Sequence, residues 1–99
     1  MLKFSSIRID GDTVHVTGPF NPDGASEVIS LSFMLAQYPG TAQGQGRIQG
    51  SGWTGEAPVG NLHAGRATAV GVAVLVDPGD PPGMQTFTWC EVKDVDAPA

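Results

Sequence analysis

The sequence predicts an all-β domain of about seven antiparallel strands, and three observations carry that expectation. Two apolar runs, 67–76 and 84–92, flank Asp77-Pro78-Gly79-Asp80-Pro81-Pro82-Gly83. No helix accommodates that loop, because its prolines lack amide donors and its glycines accept positive φ. Residues 7–9 and 14–16 alternate apolar with polar on either side of Asp10-Gly11-Asp12, a hairpin signature. The 14 glycines and 8 prolines in 99 residues imply frequent turns.

In the first strand, Leu2 and Phe4 are out of phase with Ile7 and Ile9 across Ser5-Ser6, so a bulge or bend there keeps all four facing a core. Asp10-Gly11 is the expected turn pair, after which Val14 and Val16 alternate with Thr13, His15 and Thr17. Asn21-Pro22-Asp23-Gly24 has the residue types of a tight turn. Over 26–37, Ile29, Leu31, Phe33 and Leu35 fall on one pleat face; a helix accepts part of this pattern, but the i, i+2 spacing favours strand, ended by Tyr38-Pro39-Gly40.

From 40 to 65 the chain is dense in glycine. If 41–54 is extended, Gly44, Gly46, Gly50 and Gly52 leave one face nearly bare, open to close approach by backbone, an aromatic ring or a ligand. The opposite face then carries Gln43, Gln45, Arg47, Gln49 and Trp53. The segment reads as an irregular edge strand of weak register. Residues 57–65 hold one short edge segment. In 67–76, Val70, Val72, Val74 and Val76 share a face opposite Ala69, Gly71 and Ala73. That composition suits a strand pressed on both sides, with the valines inward against the last strand and its Phe87 and Trp89. Trp89 is assigned to the core, and 94–99 to a disordered acidic tail.

A chain of 99 residues makes one domain, here 1–99. Five basic and ten acidic residues give a net charge of −5 with the basic positions scattered, which disfavours nucleic acid as a partner. No apolar run approaches the roughly 20 residues of a membrane helix, so no membrane partner is expected. The start lacks the basic-then-apolar pattern of a signal peptide, and the single cysteine cannot close an intrachain disulfide; a soluble, cytoplasmic protein is the expectation.

The chemistry sought is mostly missing. Cys90 with His15 or His63 is the one nucleophile and base combination, but alternation puts Cys90 with Val92 on a strand face, where a buried, protonated thiol is expected. Gly50-Ser51-Gly52 lacks nucleophile-elbow spacing, and Gly44-Gln45-Gly46-Arg47-Ile48-Gln49-Gly50 is not a dinucleotide fingerprint. Loop aspartates Asp10, Asp12, Asp77 and Asp80 could converge on calcium if one end of a sandwich gathered them, though aspartate also serves turns. No enzyme activity, cofactor or metal is therefore expected.

The strand count fits an immunoglobulin-like or fibronectin-like β-sandwich without its hallmark disulfide, with a small β-barrel as the alternative. The expected function is a non-catalytic protein-binding or assembly module, including self-association, acting through strand edges or loops. The candidate residues are Gln43, Gln45, Arg47, Gln49 and Trp53, with the glycine-rich strand as the open edge; Trp53 itself fits core and interface equally well. The alternative is a carbohydrate or small-ligand platform built on Trp53 and the neighbouring glutamines.

Overall fold

The computed structural model describes residues 3–20, 27–77, 79 and 81–97. Leu2, the turn at Asn21-Pro22-Asp23-Gly24, Pro78, Asp80 and residues 98–99 lie outside them. Among these residues seven strands follow in chain order: β1 Ser6–Asp10, β2 Thr13–Pro19, β3 Glu27–Gln37, β4 Gly40–Gln49, β5 Gly52–Pro58, β6 Gly65–Asp77 and β7 Gly83–Val95. They form one antiparallel sheet of order β1-β2-β5-β4-β3-β6-β7. No helix among the described residues is long and apolar enough to cross a membrane.

Three two-residue loops set the registers. Asp10 faces Thr13 and Gln49 faces Gly52, so Gly11-Asp12 and Gly50-Ser51 are the turn pairs. Each glycine sits first with φ of 62° and, among the described residues, none other than glycine has positive φ, as a type II′ turn requires. The first turn pair is thus one residue later than Asp10-Gly11. Tyr38-Pro39, joined by a cis peptide, links β3 to β4.

The sheet curls because β4 changes partners along its length. Residues 40–45 pair with β3 and residues 46–49 with β5. Two half-sheets result, β1-β2-β5 with the end of β4, and the start of β4 with β3-β6-β7. At the far edges Arg8 and Asp96 form a parallel bridge, with Asp96 N–H donating to the Ile7 carbonyl (2.9 Å) and Ile9 N–H to the Asp96 carbonyl (2.8 Å).

Inside the curl lie Phe4, Ile7, Val14, Val16, Leu31, Phe33, Leu35 and Trp53. Ser5 N–H bonds the Thr17 carbonyl (2.7 Å) while Ser6 is Thr17's register partner, so two residues face one and Phe4 and Ile7 both point inward, as the phase shift predicts. The glycine-rich face is filled by rings. A Cβ at Gly46 would lie 2.8 Å from Trp53 Cε3, and one at Gly55 2.6 Å from Phe33 Cε1. Trp53 stacks edge-on against Phe4 at 5.3 Å, and its indole N–H donates to the Lys3 carbonyl at 2.8 Å.

Several expectations are corrected. Residues 41–54 are not one extended strand but a hairpin, and β4 lies within the sheet with a neighbour on each side. Ile29 leaves the apolar face, because the β3–β6 register shifts between Val28 and Ser30; Val28 packs on the core and Ile29 is 56% exposed. Asp94 and Val95 complete β7 and Asp96 bridges to β1, so the acidic tail is ordered at least that far. Trp89 only packs against the core from a half-buried position, its N–H bonded to Glu91 Oε2 at 2.6 Å, because β7 has no further strand to cover it.

The valine ladder is the largest correction. Ala67, Ala69, Ala73 and Leu75 are buried, and Val70, Val72, Val74 and Val76 lie half-exposed on the outside. Register explains the inversion. Across β6, Leu31 faces Ala73, Phe33 faces Gly71 and Leu35 faces Ala69, while on the other side Phe87 faces Ala73 and Trp89 faces Gly71. Bulk on β3 and β7 needs small residues between them, and valine there would overfill the layer.

Candidate protein-interaction surface

The five residues singled out by sequence are divided by the sheet. Gln43, Gln45, Arg47 and Gln49 are exposed on the outer face of β4, whereas Trp53 is 2% exposed and points inward from β5. The indole therefore cannot form a platform with the amides. Gln43 Nε2 rests 3.7 Å from Met34 Sδ, and Arg47 Nη2 lies 3.7 Å from Glu56 Oε1.

The outer faces of the two half-sheets differ in charge. On the β1-β2-β5 side, Arg8, Asp10, His15, Glu56 and Arg47 project outward, with His15 Nδ1 3.7 Å from Glu56 Oε1. These exposed pairs contribute little to stability. On the β3-β6-β7 side, Val70 lies between Met34 and Cys90, Val72 between Ser32 and Thr88, and Val74 between Ser30 and Thr86, while Val76 faces Met84. None of these residues carries a charge. Charge returns only at the margins, at Glu27 opposite Val76 and at the exposed Arg66 and Asp94 pair, 3.9 Å apart. Met84 is 69% and Val92 59% exposed. A shallow depression of about 480 Å³, lined among others by Met34, Gln43, Gln45, Val70 and Val72, marks the β4 side of this face.

The free edge adjoins it. β7 ends the sheet, and among the described residues its outer side meets another strand only at the Asp96 bridge. Asp96 turns its N–H and C=O toward β1 and away from β6. Backbone groups alternate along a strand, and the β6–β7 ladder runs from Gly65↔Val95 to Asp77↔Gly83 without a register shift. The amides and carbonyls of Met84, Thr86, Thr88, Cys90, Val92 and Asp94 therefore point to the open side. From 83 to 90 there is no proline, lysine or acidic residue to blunt this edge.

Cys90, expected to be buried, is an exposed free thiol, because it shares the outer face with Val70. His63 is exposed; its backbone N–H donates to Gln37 Oε1 at 2.7 Å, and Gln37 Nε2 donates to the Arg66 carbonyl at 3.3 Å. Gln37, buried at 6% and unmarked by any sequence motif, thus ties the 59–64 loop to β6. The aspartates do not converge. The Asp10-Asp12 turn lies near the Asp96 bridge, which adjoins the start of β6, whereas Asp77 is at the other end of that 13-residue strand, about 40 Å away. Asp80 lies outside the described residues, among which no three His, Cys, Asp or Glu side chains group to hold a metal. No protein-family model, curated protein or solved structure matches the chain.

Proposed function

We propose that this chain is a non-catalytic assembly module that binds another protein through the uncharged outer face of β3-β6-β7 and the free edge of β7. The observation that carries the reading is the charge asymmetry of the sheet: in a chain with net charge −5, one broad face presents valine, methionine, threonine, serine and cysteine, with charge only at its margins. Exposed apolar surface of this kind is costly unless a partner covers it, and an open strand edge offers a row of backbone donors and acceptors to an incoming strand. The strand order supports an immunoglobulin-like description, since β1-β2-β5-β4 against β3-β6-β7 is the grouping of that sandwich; β4 joins the two sheets here.

The test is titration of the labelled protein with a synthetic peptide of sequence 84–92, followed by NMR. The amides of Thr86, Thr88 and Cys90 gain protection from exchange, and Thr88→Pro, which removes an outward N–H, abolishes the effect. Unperturbed amides on β7 at saturating peptide would overturn the proposal.

A further inference from the structure

We infer that the strand accepted by this edge is β7 of a second copy, in an antiparallel pairing whose two-fold axis passes beside Thr88. The inference rests on the edge-binding reading and names its partner. Three observations select a copy of the same chain.

The first is self-complementarity. Thr88 is the midpoint of the open stretch 83–93, so the longest overlap of two copies sets Thr88 against Thr88, Thr86 against Cys90 and Met84 against Val92. In this register every outward-pointing backbone group meets one from the partner, because all these residues are even-numbered and turn the same way. On the inner face Phe87 then meets Trp89, an aromatic cross-strand pair, and Gln85 meets Glu91; no like charges are opposed. The second is electrostatic. Two chains of net charge −5 repel on average, and in this register the one acidic side chain brought to the contact, Glu91, meets the neutral Gln85, while the Lys3 ammonium lies 5.5 Å from the Trp89 ring. The third is continuity. A two-fold axis normal to the sheet carries the apolar outer face of one copy into that of the other, so pairing shelters the side chains of Met84 and Val92, the most exposed apolar groups of β7.

Sedimentation across a wide concentration range tests this, together with a cross-link that reads the register. The native protein gains mass with concentration toward a dimer, and Thr88→Pro is a monomer with an unchanged circular dichroism spectrum. Thr86→Cys, under a mild oxidant, forms a reducible intermolecular disulfide with the native Cys90 of the other copy. Hydrogen-bonded antiparallel residues lie about 5.5 Å apart at Cα, within disulfide range. Met84→Cys, out of register with Cys90, cross-links far less. A monomer at millimolar concentration overturns the inference, as does a dimer that persists in Thr88→Pro or cross-links equally from Met84→Cys. If the native protein stays monomeric yet binds the 84–92 peptide, self-pairing falls and edge binding stands; if it does neither, both fall.

Discussion

Trp53 and Phe33 need space that only glycine leaves. An added methyl at Gly46 would sit 2.8 Å from Trp53 Cε3 and 3.0 Å from Leu31 Cγ, both held by packing on several sides. Gly46→Ala gains about 0.4–1 kcal/mol from a less flexible unfolded chain, but overfilling the core costs about 1–3 kcal/mol. Net destabilisation is expected, read as a fall in Tm of about 4–8 °C per kcal/mol; an unchanged or raised Tm would contradict the packing described. Gln37→Leu leaves the His63 N–H and the Arg66 carbonyl without their amide partner. Because both bonds are only partly buried, water recovers some of the loss and a cost of about 1 kcal/mol is expected by denaturant melting. Cys90 gives the opposite kind of test. Its thiol is exposed, so the native protein is alkylated to completion without denaturant, whereas modification that waits for unfolding would restore the buried assignment.

At the scale of the element, strand β7 carries the sharpest backbone argument. Gln85 and Thr86 are adjacent and both exposed, but the Gln85 N–H points into the ladder with Leu75 and the Thr86 N–H into solvent. Thr86→Pro therefore keeps the fold and Gln85→Pro lowers its stability, because proline is tolerated in a strand only where its missing donor faced outward. Equal melting temperatures for the two variants would contradict the alternation. Strand existence was legible in the residues: the period of two in 13–17, 31–35 and 69–76 marked β2, β3 and β6, and the phase slip at Ser5-Ser6 marked the irregular start of β1. The Ile29 bulge was not legible, since nothing in Val28-Ile29-Ser30 distinguishes an extra residue from a continued alternation. The turn at Gly50-Ser51 was obscured by surrounding glycines, which fit an extended strand and a hairpin equally well. The direction of the β6 faces was present only jointly, in the bulky odd positions of β3 and β7 and the small odd positions of β6; read alone, a valine row looks like core.

For the whole molecule, the surface divides into a charged half-sheet and an uncharged one, and association has an unusual salt dependence in consequence. An interface built on ion pairs weakens as salt rises. Pairing through β7 opposes no like charges, its Glu91 meeting Gln85, while each copy carries net charge −5, so screening removes repulsion and leaves the contact intact. Raising ionic strength from about 0.01 M to 0.15 M shortens the screening length from about 30 Å to 8 Å and strengthens the dimer in sedimentation; weakening would point to charged residues at the contact. The glycine-rich β4 reads in sequence as an open edge because its side chains are few, but it lies within the sheet and those glycines serve rings inside the curl.

From the residue pattern alone came an all-β chain with its hairpins and most of its strands, because alternation and turn chemistry act over a few neighbouring residues. Tertiary structure decided which face of β6 looks inward, that Trp53 is enclosed while Cys90 is open, and that β7 is the last strand of the sheet. Those outcomes depend on cross-strand register, which sets residues distant in sequence side by side and lets the bulk of one choose the orientation of the other.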